Sequence, residues 1–411
     1  MNFVSLREQA LQLHKDAAGK ITIRPTISVE NSLDLSLAYS PGVAEPCKEI
    51  AKDKQLADLY TGRSNRVAVV TNGTAVLGLG DIGPYASLPV MEGKALLFKR
   101  FGGVNAFPIC LDSKDIDKLV EAVKMLEPVF GGINLEDIAA PSCFEIEERL
   151  KAELAIPVFH DDQHGTAIVT LAGLLNALKI VNKDINKVKV VTNGAGAAGI
   201  AIVKLLMNLG VNDIIMCDSK GIIYEGRAAG MNNYKAEIAS RTNRAQLTGN
   251  LADALAGADV FIGISVGNAV TPDMIRSMAA HPVVFAMANP VPEIMPELAK
   301  QAGAAVVCTG RSDYPNQINN VAAFPGVFRG ALDCKATVIN EEMKIAAAYA
   351  IADLVPPEEL SADHVVPEAL DPRLAPAVAA AVVRAATESG VARVAVDPAT
   401  MGQRILELSQ K

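Results

Sequence analysis

Val188-Lys189-Val190-Val191-Thr192-Asn193-Gly194-Ala195-Gly196-Ala197-Ala198-Gly199 is the stretch whose reading decides the fold. Its β-branched opening reads as a buried strand, and the glycines follow at once. The apolar segment from Ile200 to Leu209 then reads as a helix. A lone G-x-G-x-x-G is a weak signal, but this one lies between a strand and a helix. A second strand ends at Asp218, about twenty residues past Gly199, the place where a dinucleotide-binding βαβ unit carries its acidic residue. In that context Gly194 permits the tight turn, Gly196 lets the backbone approach a pyrophosphate, and Gly199 lets the helix pack closely on the strand. Ala195, Ala197 and Ala198 complete the loop. The helix N-terminus offers free N–H groups and a positive dipole end to the phosphate. Asp218 as acceptor of a ribose 2′-hydroxyl favours NAD, whereas Ser219 and Lys220 suit the 2′-phosphate of NADP, so both cofactors stay open.

Working outward, further strands are readable at 187–192, 212–217, 259–264, 282–287 and 304–308, with helical stretches between most of them. Alternating strand and helix implies a parallel sheet with right-handed crossovers. Upstream, residues 66–80 hold two apolar runs around Asn72-Gly73, a hairpin signal. Helices are expected at 89–101, 115–127, 143–154 and 165–181, and a strand at 106–111. A polar helix opens the chain, and residues 21–50 read as extended. From 330 on the chain is mostly helical, with an Ala-rich stretch at 375–395 expected as a core or interface helix. The fold class is α/β: a Rossmann-type doubly wound parallel sheet domain plus an α/β N-terminal domain, divided as 1–160 and 161–411.

A chain of 411 residues can bury two cores. Its net charge of −8 argues against a nucleic-acid surface and gives no reason to invoke an anionic membrane. The N-terminus shows no basic start before an apolar block, and no apolar run is long enough to span a bilayer, so a cytoplasmic protein is expected. The six cysteines form no Cys-x-x-Cys pair and are expected to be reduced, buried small residues.

Two acidic pairs carry the chemistry. Glu136-Asp137 and Asp161-Asp162 each follow an apolar strand, with one helix between. In a βαβ unit both pairs lie at the carboxyl ends of neighbouring strands, where open α/β sheets bind ligands. Crowded carboxylates repel, so a positive group belongs among them, and oxygen-only ligands suit Mg2+ or Mn2+ rather than zinc. Composition alone leaves an equal alternative, in which Asp161 or Asp162 caps the following helix. His160 and His164 are expected at the helix start or behind the ligands.

The sequence resembles the malic enzyme family over most of its length. The similar segments are Ala38-Tyr39-Ser40-Pro41-Gly42-Val43-Ala44, Val76-Leu77-Gly78-Leu79-Gly80-Asp81, Pro89-Val90-Met91-Glu92-Gly93-Lys94, Asn134-Leu135-Glu136-Asp137, His160-Asp161-Asp162-Gln163-His164-Gly165-Thr166, Ala288-Asn289-Pro290 and Asn316-Gln317-Ile318-Asn319-Asn320. The resemblance implies a catalytic N-terminal domain and the metal-dependent oxidation and decarboxylation of malate to pyruvate. It further implies Glu136, Asp137 and Asp162 as metal ligands, Lys94 as general base and Tyr39 as general acid. Asn289 and Asn319 would lie near the substrate carboxylates and the nicotinamide, and a homodimer is expected. A base at Lys94 must be neutral, which requires burial or the metal to lower its pKa. Taken alone, a helical lysine reads as solvated and Tyr39 as a packing residue before a turn. Larger family members clamp a substrate carboxylate with an arginine where this chain has Ala75. A malolactic enzyme, a metal-independent dehydrogenase and a dinucleotide-binding sensor are the competing readings.

Overall fold

The structure, a computed structural model, describes residues 5–410. Four short helices open the chain: α1 (Leu6–Ala17), α2 (Ser32–Ala38), α3 (Ala44–Lys52) and α4 (Ala57–Tyr60). The first sheet follows, as β1 (Arg66–Thr71), α5 (Gly83–Gly102), β2 (Asn105–Cys110), α6 (Ile116–Leu126), β3 (Gly132–Leu135), α7 (Ser142–Glu153) and β4 (Val158–His160). The long α8 (Asp161–Ile180) leads to the second sheet unit. That unit comprises β5 (Lys189–Asn193), α9 (Ala197–Asn208), β6 (Asp213–Asp218), β7 (Gly221–Ile222), α10 (Asn233–Arg241), α11 (Leu251–Leu255), β8 (Val260–Gly263), α12 (Pro272–Arg276), β9 (Val283–Ala286), α13 (Pro296–Gln301) and β10 (Val306–Thr309). Four helices close the chain: α14 (Phe324–Asp333), α15 (Glu341–Ala352), α16 (Leu374–Glu388) and α17 (Met401–Gln410).

The first sheet has the order β2-β1-β3-β4 and is parallel throughout. The second has the order β10-β9-β8-β5-β6-β7, parallel except for the short β7. Both sheets reverse direction of winding at their first strand, β1 and β5, which places a ligand crevice at the carboxyl end of each. Runs such as Val67–Val70 and Val260–Gly263 are buried along their whole length, as expected of parallel strands covered on both faces. The last helices return to the first sheet: Phe324 and Phe328 of α14 meet Phe98 of α5 at 4.7 and 5.2 Å between ring centroids, and Phe328 meets Phe159 of β4 at 5.7 Å. The Ala-rich stretch forms α16, whose inner face is buried.

Three expectations need correction. No hairpin forms at 66–80: β1 is flanked on both edges by parallel partners, β2 and β3, so neither edge is free for a returning strand. The Asn72-Gly73 turn serves a loop instead, in which Gly73 O accepts the N–H groups of Ile82 and Gly83 and delivers the chain to α5. Residues 21–50 are not extended throughout, because the Asn31 side chain accepts from Leu33 N and Asp34 N and starts α2, with α3 after it. Among the cysteines, four are buried, Cys110 is partly covered and Cys47 is exposed; all six are free. No helix among the described residues is long and apolar enough to cross a membrane.

Candidate active site

The two acidic pairs meet because β3 and β4 are parallel neighbours with Leu135 opposite His160. Each strand therefore releases its pair at the same edge. Glu136, Asp137 and Asp162 each offer a carboxylate oxygen within 4.8 Å of the others. Asp137 stands at φ +53, a left-handed turn that points its N–H at Asp162 Oδ2, 2.7 Å away. Asn134 Nδ2 holds Glu136 Oε2 at 2.9 Å. The capping alternative fails for the helix that follows, since α8 has His160 at its N-cap and no side-chain cap bond. Asp161 and Asp162 instead occupy the first turn, where the helix dipole favours negative charge.

Lys94 reaches this cluster from α5. Its Nζ donates to Asp161 Oδ2 at 2.5 Å, stands 2.9 Å from Glu136 Oε1, and lies 4.2 Å from the Phe324 ring centroid. Only 7% of its side chain is exposed, so the reading of a lone helical lysine as solvated does not hold. The expected lowering of its pKa is not what the metal-free site produces. Burial pushes the ammonium down, but Asp161 and Glu136 outweigh it and hold Lys94 above its ordinary value. The carboxyls are displaced upward. Burial lifts Glu136 to about 7 against Lys94's pull, with Asp162 adding to the rise. Burial, then Asp162 and Glu136, lift Asp137 to about 8. Asp162, partly covered and repelled by Asp161, stands at about 6 despite Lys94.

The donor set fits a divalent cation. Three clustered carboxylates share one lysine with Asp161, and Asp137 Oδ2 is buried with no hydrogen-bond partner. Oxygen ligands of this kind suit a hard ion. Neither His160 nor His164 contributes a ring nitrogen to the converging group among the described residues. His160 is fully buried, and burial lowers it to about 4; His164 Nε2 sits 2.8 Å from Glu147, away from the ligands.

A cavity of about 560 Å3 opens onto the cluster and is lined by Lys94, Glu136, Asp137, Asp162, Ala75 and Asn320, among others. Asn320, rather than Asn319, is the asparagine that reaches the site: its Nδ2 donates to Asp161 Oδ2 at 2.6 Å. Asn319 Oδ1 is spent on the N–H of Val321, at 3.0 Å. Asn289 is exposed just past the carboxyl end of β9, and its backbone carbonyl approaches Gly78 of the Leu77–Gly80 loop. Tyr39 is 70% exposed and does not line the cavity. Sequence reading missed Asp161 as the partner of Lys94, and missed Lys20, whose ammonium donates to Pro89 O at 2.6 Å and which lines the same cavity. The acidic doublet pointed at Asp161; nothing local distinguished Lys20 from a surface lysine.

The glycine motif fits a dinucleotide. A Cβ on Gly199 would fall 1.8 Å from Gly194 O, and one on Gly194 (φ +122) would fall 2.3 Å from Ile264 O. A Cβ on Gly196 would meet nothing within 4 Å, which leaves its backbone open to a phosphate. Gly196 is the N-cap of α9 and has no side chain to spend on the helix's free N–H groups.

Comparison with known proteins settles the family. Residues 18–151 match the family model for the malic enzyme N-terminal domain, and residues 163–387 the one for the malic enzyme NAD binding domain. This chain belongs to the malic enzyme family. Within it, the chain is 64% identical over 406 residues to the bifunctional malic/malolactic enzyme of Bacillus subtilis (strain 168), covering 99% of each. It is 55% identical to the NAD-dependent malic enzyme of Geobacillus stearothermophilus, covering 96% of this chain and 81% of that one. Among solved structures it resembles the malic enzyme from Pyrococcus horikoshii Ot3, with a TM-score of 0.95 and 48% identity, covering 99% of this chain and 96% of that one. The chain is thus an NAD(P)-dependent malate oxidoreductase of the malic enzyme family.

Proposed function

We propose that this chain oxidatively decarboxylates malate to pyruvate and CO2 at the Lys94 cluster, with reduction of NAD(P)+ and with Mg2+ or Mn2+ held by Glu136, Asp137 and Asp162. The observation that carries the proposal is the meeting of those three carboxylates beside a buried lysine. When bound, the cation would polarise the C2 oxygen and accept charge as CO2 leaves, and the nicotinamide would accept the hydride from C2.

The chain's own residues supply the proton handling and the grip. Lys94 Nζ, once neutral, takes the proton of the C2 hydroxyl; Asp161 first and Glu136 second are what keep that nitrogen protonated in the metal-free site. Asp161, held by Lys94 and Asn320, fixes the direction of the ammonium. Lys20, facing the same cavity, is the cation assigned to the distal substrate carboxylate in place of the arginine replaced by Ala75. Asn289 stands on the second sheet unit where its loop faces the first, and is assigned to the nicotinamide side. Tyr39 is assigned the return of a proton to C3 on the family resemblance. A homodimer belongs to the same proposal, because α1 to α4 bury none of their residues and leave Leu33, Leu35, Leu37 and Tyr39 in solvent in the single chain. So does a cytoplasmic location.

The test is incubation of the full chain with L-malate and each dinucleotide, with and without Mn2+, followed by product identification. Metal-dependent formation of pyruvate and reduced dinucleotide supports the proposal. Oxidation of malate that ignores metal, or no reaction with either dinucleotide, contradicts it. Lactate without net reduction is the second reading, favoured by one observation: the B. subtilis relative carries both activities in its name.

A further inference from the structure

The two dinucleotides differ at the adenosine ribose, and one carboxylate stands at that end of the motif. Asp218 closes β6. The carbonyl of the preceding residue, Cys217, accepts the Gly194 N–H of the phosphate loop at 2.9 Å. An acidic residue in this place ordinarily takes the ribose 2′-hydroxyl. In this chain both of its oxygens are already engaged. Oδ1 accepts from Arg227 Nη1 and from Lys220 N, each at 2.8 Å. Oδ2 accepts from Arg227 Nη2 at 2.5 Å and from Lys235 Nζ at 2.7 Å.

An ionised carboxylate has about four lone-pair sites, and four donors occupy them here. A ribose hydroxyl could enter only by displacing a donor, and three of the four come from cationic groups, Arg227 twice and Lys235, whose bonds to a carboxylate are stronger than a neutral hydroxyl's. Arg227 is locked as well as Asp218: it grips the carboxylate as a bidentate fork and is nearly inaccessible. The consequence is a change of sign. One carboxylate faces two cations, Arg227 and Lys235, so the cluster carries a net positive charge before exposed Lys220 is counted. Lys235 has also spent only two of its three N–H groups, on Asp218 and on Gly230 O at 2.9 Å.

We infer that Asp218, Arg227 and Lys235 form a seat for a 2′-phosphate, closed from the rim by Lys220, so that this chain binds NADP+ in preference to NAD+. Asp218 serves as the anchor that positions the cations, and Lys235 and Lys220 make the contact. The inference rests on the dinucleotide reading of the glycine motif.

Calorimetric titration of the full chain with adenosine 2′,5′-bisphosphate and with adenosine 5′-monophosphate tests it without turnover. The bisphosphate is expected to bind about ten-fold tighter or more, the worth of one or two charge-assisted contacts, with an advantage that shrinks as salt rises. Lys235→Met should remove most of that advantage and leave the monophosphate unchanged. Lys220→Met, at an exposed position, should remove part of it. Equal binding of the two nucleotides, or a preference that both substitutions leave intact, overturns the seat. If the monophosphate binds without preference, the dinucleotide reading survives and the seat does not; if neither nucleotide binds, both fall.

Discussion

Lys94 is a buried cation between two buried carboxylates, Asp161 and Glu136. Lys94→Met keeps the length of the side chain and removes the group proposed to take the C2 proton. Turnover is expected to fall about a hundred- to ten-thousand-fold, while dinucleotide binding, measured by titration, stays within about two-fold because the glycine motif is on the other sheet. Near-normal turnover would remove Lys94 from the mechanism. Much of this site was legible residue by residue. The two acidic doublets were readable as a candidate cluster because each sits directly behind an apolar strand, while the choice of Glu136, Asp137 and Asp162 as ligands came from the family resemblance. The pairing of Asp161 with Lys94 was not readable, since it joins residues far apart in sequence and depends on how α5 crosses β1, β3 and β4. Asn320 was missed in favour of its neighbour for a local reason: which of two adjacent asparagines caps the turn and which turns inward is set by backbone geometry.

Among elements, the β5–α9 unit depends on contact too close for any side chain at Gly199. Gly199→Ala places a methyl against Gly194 O, so α9 must shift and the phosphate loop with it. The expected result is a loss of about 1–3 kcal/mol in stability, read by denaturant unfolding, together with loss of dinucleotide binding. An unchanged midpoint and unchanged affinity would mean that the loop does not need this packing. This unit was legible because its signals are contiguous: strand, glycines, apolar helix, second strand. The hairpin reading of 66–80 failed on the opposite ground. The local turn chemistry was present, but both edges of β1 were claimed by β2 and β3, which no local window can reveal. Arg227 and Lys235 were invisible for the same reason, being brought to Asp218 by β7 and α10.

For the whole molecule, α5, β4 and the returning α14 join behind the carboxylate cluster in a common core, through Phe98, Phe159, Phe324 and Phe328. Occupation of the cluster should therefore register in global stability, with a defined pH dependence. Glu136, Asp137 and Asp162 have folded pKa values of about 7, 8 and 6, all above their ordinary values. Between the ordinary carboxylate range and about pH 8 the folded metal-free chain thus holds protons that the unfolded chain has released, and the cluster's contribution to stability falls as pH rises. A cation competes with those protons. The rise in melting temperature caused by saturating Mn2+ is expected to be larger at pH 8 than at pH 6, the two ends of the range the carboxyls span. An increment that is equal or larger at the lower pH would contradict the assignment of these groups as ligands.

The most direct test of the account is Mn2+ binding to the chain and to its Asp162→Asn variant, followed by electron paramagnetic resonance with and without L-malate. The account predicts a Mn2+ site in the parent chain whose signal changes when malate is added. It also predicts affinity lower by about a hundred-fold in the variant, as expected when a metal loses a carboxylate. Unchanged Mn2+ affinity in Asp162→Asn, or a signal indifferent to malate, would place the metal elsewhere and contradict the account at its centre.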